Sequence, residues 1–355
     1  MENYLKNIQK SNQEIYKKAK EHLDFLAKPL GSLGELENIS AKICSIYSSL
    51  DVNLDKKAIV VLASDNGIFE EGVASTPQEV TATQTINILE GKTGVGVIAK
   101  AFNVDVFVCD VGVKVDINHS NLINKKIRKS TNNFLKTTAM TREEVIQSIN
   151  IGIEIVNDLK NKGYKAIGTG EMGIGNTTTS SSVLASLLGL NDNEIETVVG
   201  VGAGLTKDGY NKKVDVIKKA LNKHKPNKDD VLDIIQKVGG FDLGGMIGVY
   251  IGCAYNKIPV VVDGFIAIVA CLCAIKLNEN IKDYVFLSHK SMEKGYTLAQ
   301  KEIGLPSYLD LKMRLGEGSG CPLMFALMDG AMAMFNNMAT FDEAKIDTKY
   351  LEKLK

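Results

Sequence analysis

The sequence predicts an α/β protein: a Rossmann-like, mostly parallel six-stranded sheet flanked by helices, with a small helical domain from the N- and C-terminal segments. Three observations support this prediction. Short β-rich segments alternate with helical patterns along the middle of the chain, as in a parallel sheet covered on both faces. Several of these segments are continuously apolar, which is typical of strands buried on both faces. Glycine-rich segments follow the strands, where ligands of such sheets bind.

Six segments have the length and apolar content of buried strands. They are residues 58–63, 104–109, 165–168, 259–262, 284–287 and 308–311. Apolar residues recur at helical spacing between them, which predicts helices with one buried face. Two of these apolar stripes are formed by Val145, Ile149, Val156 and Leu159, and by Ile266, Ala270, Cys273 and Leu277.

The two ends of the chain have a different pattern. Residues 1–25, 36–50 and 342–355 show helical patterns without strand signals. We therefore predict that residues 1–55 and 340–355 pack together as a small helical domain. Residues 56–339 then form the large α/β catalytic domain.

Composition excludes several classes of protein. With 355 residues and 45% hydrophobic content, the chain can form one large α/β domain with a smaller appendage. Its 42 basic and 42 acidic side chains give a formal net charge of zero, which argues against a nucleic-acid surface. Residues 1–20 are polar and charged, so we expect no secretory signal. Asp263 and Gly264 interrupt the most apolar stretch, residues 258–275, so we expect no membrane span.

Cysteine and histidine spacing predicts neither disulfides nor a metal site. The six cysteines form no C-x-x-C pair, and most lie in apolar segments, as do reduced, buried thiols of a cytoplasmic protein. The four histidines lack metal-ligand spacing. We predict that the protein uses no metal and no cofactor.

Two glutamates in glycine-rich segments are the candidate catalytic residues. Glu171 follows Gly170, and Glu317 lies between Gly316 and Gly318. Glycine lets the backbone turn sharply and approach a ligand closely, and a carboxylate in such a turn is well placed for proton transfer. We predict that Glu317 is a general base; the alternative is a surface turn residue.

A run of small polar residues before an apolar helix predicts a phosphate site. The N–H groups at a helix start favour negative charge, and threonine hydroxyls add donors. An ordinary N-cap would explain one such residue but not four in a row. The residues of this predicted cradle are Gly175, Asn176, Thr177 and Thr178. A second cluster, Gly202, Ala203 and Gly204, is either part of the same site or a plain turn, and Arg314 is either an anion clamp or a salt-bridge partner.

A dinucleotide site is the alternative for the first glycine-rich segment. Residues 168–173 match G-x-G-x-x-G after a strand, but that pattern also needs an acidic residue at the end of the next strand. Asp192 has the right distance and no strand before it. An NAD(P)-dependent oxidoreductase is therefore the second functional class.

Nine motifs occur in one order along nearly the whole chain. They are residues 28–34, 64–67, 71–73, 77–81, 170–179, 200–205, 262–265, 288–289 and 315–320. In these motifs the chain resembles the nicotinate mononucleotide:dimethylbenzimidazole phosphoribosyltransferases, the CobT family of cobamide biosynthesis. The segment from Leu315 to Gly320 is the most specific of the nine.

The resemblance implies transfer of phosphoribose from nicotinate mononucleotide to an aromatic base, giving an α-riboside 5′-phosphate and free nicotinate for the lower ligand of cobalamin. It implies that Glu317 is the base, that Glu171 is an orienting group, and that both glycine-rich loops hold the 5′-phosphate. Lys213 and Arg314 are candidates for binding the charge of nicotinate or phosphate. No nucleic-acid or membrane partner is implied.

The same resemblance leaves the base pocket and the assembly open. Leu315, Ser75 and Gln84 are candidate substrate contacts, with Thr83 the alternative to Gln84, so the preferred base stays open among benzimidazoles, adenine and phenolics. The resemblance implies a homodimer, and residues 244–254 and 324–338 offer more apolar surface than one sheet needs. An inactive homologue that acts as a binding subunit is a third possibility, against which the presence of Glu317 counts.

Overall fold

The computed structural model describes residues 1–348 and contains, in that part, a single seven-stranded sheet in which every pair of neighbouring strands is parallel. The strands are β1 Lys57–Ser64, β2 Asp105–Gly112, β3 Ile123–Asn124, β4 Ala166–Met172, β5 Val260–Val262, β6 Val285–His289 and β7 Ser307–Leu309. Their order is β3-β2-β1-β4-β5-β6-β7. Strands β2 and β3 lie on one side of β1, and strands β4 to β7 lie on the other. The strand order therefore reverses between β1 and β4, and a ligand crevice is expected at the carboxyl ends of these two strands.

The predicted fold class is confirmed, with two differences in the strands. The seventh strand, β3, has two residues, which is too short for a sequence pattern to reveal; it pairs with Cys109 and Asp110 of β2. Strand β4 extends four residues beyond its predicted end at Gly168, because it stays paired with β1 as far as Met172. Glu171 therefore lies in a strand and not in the predicted turn.

Thirteen α-helices occur in residues 1–348. They are α1 Glu2–Asn7, α2 Gln13–Phe25, α3 Glu35–Tyr47, α4 Val80–Leu89, α5 Gly94–Ala101, α6 Arg142–Asn161, α7 Asn176–Leu188, α8 Lys207–His224, α9 Val231–Val238, α10 Phe241–Tyr255, α11 Phe265–Leu277, α12 Gly295–Ile303 and α13 Cys321–Asn337. None of these helices is long and apolar enough to cross a membrane.

Helix α10 lies in the interior, and α13 buries one face. A Cβ at Gly248 of α10 would lie 1.9 Å from the carbonyl oxygen of Ile149 in α6, so glycine is needed for this close helix contact. Residues 241–254 are all buried, and α13 buries Met324, Met328 and Met332. The expectation of spare apolar surface was wrong for residues 244–254, which are all buried. For residues 324–338 it stays a prediction, because Ala333 is exposed and Met334 and Met338 are only partly buried.

The terminal segments meet through main-chain hydrogen bonds. Ala27 N donates to Ala339 O (2.8 Å), and Phe341 N donates to Phe25 O (3.1 Å). The predicted helix over residues 1–25 is interrupted, because the Asn12 side chain caps α2. Residues 342–348 form turns and no α-helix, with Lys345 at a φ of 56°; residues 349–355 lie outside the described part. The division into two domains stays a prediction.

Candidate active site

A cavity of about 340 Å³ lies at the carboxyl ends of the central strands. Its walls come from the segments that follow β1, β4, β5, β6 and β7, the position where parallel sheets bind ligands. This volume lies at the lower end of the range of ligand pockets, roughly 300–1,000 Å³. The cavity is therefore large enough for a small molecule.

Glu317 lies on the wall of this cavity in a strained turn. Gly316, Glu317 and Gly318 have φ values of 89°, 63° and 94°. A left-handed glutamate persists only where its surroundings hold it, and such residues cluster at functional sites. Here the Asp263 carboxylate holds the turn, because it accepts hydrogen bonds from Gly318 N (2.9 Å) and Gly320 N (2.7 Å).

The turn that carries Glu317 packs directly on strand β4. A Cβ at Gly170 would lie 2.2 Å from Glu317 O, and one at Gly168 would lie 2.7 Å from Cys321 Cβ. The first two glycines of the G-x-G-x-x-G pattern thus lie within strand β4 and make room for the segment that contains Glu317, and Gly173 follows the strand directly. No dinucleotide-binding loop is formed between Gly168 and Gly170. Close packing brings the two glutamates together: Glu317 N donates to Glu171 Oε1 at 3.4 Å.

The Glu317 carboxylate is oriented by two donors. Gln84 Nε2 donates to Oε1 at 3.0 Å, and Val95 N, in the first turn of α5, donates to Oε2 at 3.2 Å. Thr83, the alternative to Gln84, is exposed and bonds to Glu79 of its own helix. Gln84 therefore occupies the pocket position, and Glu317 presents an oriented carboxylate to the cavity.

Glu171 shares a donor with a second buried carboxylate. The Asn176 side-chain amide donates to Glu171 and, at 3.1 Å, to Asp242 Oδ2. The pKa of Glu171 is raised to about 8, mainly by burial and then by the charge of Asp242, while the hydrogen bond from Asn176 lowers it. Burial also raises the pKa of Asp242. The raised pKa favours the protonated form of Glu171 near neutral pH.

This raised pKa of Glu171 predicts a loss of stability as the pH rises from about 4.5 to about 8. Between about pH 4.5 and about pH 8 the folded protein holds a proton that the unfolded chain releases, so the free energy of unfolding should fall by up to about 1.4 kcal/mol per pH unit. Glu171→Gln has no such proton and should show a smaller slope. Denaturant unfolding of both proteins across this range measures the difference, and identical slopes would contradict the assignment.

The predicted phosphate residues lie together at the start of α7. Lys213 of α8 is fully buried, and its Nζ donates to Thr177 Oγ1 (2.9 Å) and Gly200 O (3.2 Å). Burial lowers the pKa of Lys213 to about 8. Arg314 Nη1 donates to Gly202 O at 3.4 Å. Two cations, a helix N-terminus and a glycine loop thus surround one end of the cavity, an arrangement suited to an anion.

Most of the predicted site residues line this cavity. Those that do are Ser75, Gln84, Glu171, Gly175, Asn176, Thr177, Gly202, Ala203, Lys213, Arg314, Leu315 and Glu317. Thr178 and Gly204 do not line it. Thr178 follows Thr177 in a helix and therefore faces a different side, the protein interior, where its hydroxyl is buried.

Several residues at or beside the cavity were not predicted as site residues. Asp263, His289, Ser291 and Glu293 line it, and Asp242 contacts it through Asn176. The position after β5 was the available signal for Asp263, and the position at the end of β6 was the signal for His289. Asp242, at the start of α10, had no local signal. Burial lowers the pKa of His289 to about 4, so the imidazole is neutral. Within residues 1–348 no three His, Cys, Asp or Glu side chains are grouped to hold a metal.

A parallel α/β sheet with such a cavity beyond its strand ends defines the general class, an enzyme that acts on small molecules. A family model described as "phosphoribosyltransferase" matches residues 8–346. The chain belongs to this family and is a phosphoribosyltransferase.

Individual relatives and solved structures agree with this membership. A Clostridium perfringens protein named nicotinate-nucleotide–dimethylbenzimidazole phosphoribosyltransferase is 52% identical over 99% of this chain and 96% of its own length. A Clostridioides difficile protein of the same name is 43% identical over 97% of this chain and 98% of its own length. The crystal structure of CobT from Thermus thermophilus superimposes with a TM-score of 0.89 at 34% identity, covering 94% of this chain and 99% of that one.

Proposed function

We propose that the protein transfers 5-phosphoribose from nicotinate mononucleotide to dimethylbenzimidazole or a related base, giving α-ribazole 5′-phosphate and nicotinate for the lower ligand of cobalamin. The observation that carries this proposal is the Glu317 carboxylate, oriented by Gln84 and Val95 beside Glu171 in a cavity with a cationic end. The names and high identity of the relatives support the choice of substrates.

In this mechanism, a ring nitrogen of the incoming base attacks C1′ from the face opposite nicotinate. The bond from C1′ to the pyridinium nitrogen breaks, and its electron pair returns to that ring, which leaves with a neutral nitrogen. The anomeric centre is inverted. The second nitrogen of the attacking base loses its proton to Glu317, the general base, while neutral Glu171 orients the substrate by donating a hydrogen bond.

The 5′-phosphate is assigned to the cationic end of the cavity. Lys213, Arg314 and the N-terminus of α7 supply charge and N–H donors there, and Thr177 adds a hydroxyl. The base then lies at the other end, near Gln84 and Leu315, within reach of Glu317. This orientation places the reacting C1′ between the phosphate site and the general base.

Incubation with nicotinate mononucleotide and a panel of bases, followed by mass analysis, tests the proposal. The panel contains dimethylbenzimidazole, unsubstituted benzimidazole, adenine and a phenol. We expect equimolar nicotinate and an α-riboside phosphate with at least one base, and the relative rates give the base preference. A control with nicotinamide mononucleotide tests the donor. Absence of nicotinate release with every base would contradict the proposed function.

We also propose that the enzyme is a homodimer, and here the support is the family resemblance together with exposed apolar side chains near the N-terminal helices. Phe25 is 67% exposed and Leu30 is 42% exposed, which favours a covered position in an assembly. Light scattering at micromolar concentration should give about twice the chain mass of 38.5 kDa. A mass of one chain would contradict the dimer.

We place the enzyme in the cytoplasm. The support is that Cys44, Cys109, Cys253, Cys271, Cys273 and Cys321 are all buried and unpaired, the state that a reducing compartment maintains.

A further inference from the structure

The glycine-rich loop at the cationic end of the cavity, residues 200–205, lies against a carboxylate of the protein itself. Glu293, four residues after β6, lines the cavity and lies against Gly200. A Cβ at Gly200 would lie 1.6 Å from Glu293 Oε2 and 2.7 Å from Glu293 Cδ. A side chain at position 200 would displace the Glu293 carboxylate, so glycine at this position lets the carboxylate lie directly against the loop.

The groups that act on Glu293 are the ones that surround the proposed phosphate site. Burial raises the pKa of Glu293, while Lys213, Arg314 and the backbone N–H of Gly202 act in the opposite direction. Glu293 Oε2 is buried and has no hydrogen-bond partner within residues 1–348. A buried carboxylate oxygen without a donor is an unfavourable arrangement. Lys213 and Arg314 lower the pKa of Glu293 by their charge, while their side chains donate to Thr177, Gly200 and Gly202, so a phosphate that bonds to these cations directly would be the better anion.

We propose that Glu293 is a specificity-determining residue that occupies the anion subsite of the free enzyme and competes with the phosphate of the substrate. This inference rests on the proposed function, which assigns the 5′-phosphate to this end of the cavity. A small free anion gains too little from Lys213 and Arg314 to replace the carboxylate. A phosphate ester displaces it, because three phosphate oxygens accept several charge-assisted hydrogen bonds and the attached sugar adds further contacts.

Glu293→Gln provides the test, because the two side chains have the same shape and differ in charge. Calorimetric titration with ribose 5-phosphate should show a Kd lowered by about tenfold or more, since removing a like charge within a few ångströms of the ligand is worth at least one decade in affinity. Titration with inorganic phosphate should show a larger relative gain than with the ester. Ribose without phosphate should show no gain.

Glu302→Gln is the matched control. Glu302 lies on the exposed face of α12, so the variant makes the same change in net charge away from the cavity and should leave every Kd unchanged. Unchanged or weaker binding of ribose 5-phosphate by Glu293→Gln would overturn the inference. Weaker binding of ribose as well would show that Glu293 binds sugar hydroxyls instead.

A second measurement needs no variant and covers the case in which Glu293→Gln fails to fold. A crystal structure of the wild-type protein with ribose 5-phosphate should show the Glu293 carboxylate moved away from Gly200, and a carboxylate that stays in place would overturn the inference. Turnover of nicotinate mononucleotide by the wild-type protein distinguishes failure of the role of Glu293 from failure of the proposed function. With turnover present, a negative titration rejects only the role of Glu293; with turnover absent, the proposed function itself fails.

Discussion

Glu317→Gln should lower kcat by about 10²–10⁴-fold, the contribution typical of a positioned general base. The variant keeps the size of the side chain but has no carboxylate to accept the proton of the attacking base. The fold should tolerate the change, because the left-handed turn is held by Asp263 and not by the Glu317 side chain. Gln84 can rotate its amide so that its oxygen faces the new NH₂ group, and Asn87, which donates to Gln84 Oε1 at 3.1 Å, then rotates its own amide to accept from Gln84. Steady-state rates of nicotinate release measure the effect.

Two controls make this result specific to proton transfer. Calorimetric binding of nicotinate mononucleotide should be almost unchanged in Glu317→Gln, because the Glu317 side chain bonds to Gln84 and Val95 and not to the proposed phosphate donors. Glu79→Gln, an exposed change on the same side of the cavity, should keep wild-type rates. If Glu317→Gln itself turns over at the wild-type rate, the assignment of the base is wrong.

Removal of the substrate phosphate should have the second large effect. Nicotinate riboside should react with a kcat/KM about a hundredfold or more below that of the mononucleotide. Charge-assisted hydrogen bonds contribute roughly 1.5–3 kcal/mol each, and the riboside loses at least two of them at Lys213 and the start of α7. Parallel rate measurements with the two donors and one base give the ratio. Equal kcat/KM values would require withdrawal of the phosphate assignment for both loops.

Lys213→Met tests whether Lys213 is responsible for the difference in kcat/KM between the mononucleotide and the riboside. The replacement keeps a long side chain in the buried position and removes the charge and the donors to Thr177 and Gly200. It should lower kcat/KM for the mononucleotide and leave that for the riboside nearly unchanged, so the ratio shrinks. Lys219→Met, on the exposed face of α8, is the control. Gly175→Val is a poorer test, because the φ of 95° at Gly175 would strain valine.

Patterns of residues that are neighbours in the sequence predicted much of the fold. Strand β1 is buried along its whole length, and a run of apolar β-branched residues is the sequence signature of such a strand. The length of β4 was missed because Gly168 and Gly170 are poor strand formers. They occur in the strand because the turn that contains Glu317 packs on it, and this partner lies almost 150 residues away in the chain.

The candidate site also contains residues that a local sequence pattern reveals and residues that it does not. The residue types at Glu171, Glu317 and the start of α7 pointed to proton transfer and anion binding, since glycine-framed carboxylates and helix N-termini act locally. Asp242 and Glu293 carry no local signal that separates them from structural acids, and Asp263 has only its position directly after β5. Their roles depend on which backbone N–H groups and cations lie beside them after folding.

The amino-acid sequence by itself thus determined the α/β class, the family resemblance and the chemical types at the cavity, because these follow from periodicity and from side chains close together in the chain. Only the tertiary structure decided that Glu171 lies in a strand with a pKa raised by burial to about 8, that Gln84 and not Thr83 orients Glu317, and that α10 belongs to the core. Burial, electric fields and hydrogen-bond geometry act through space between distant segments, so no local pattern contains them.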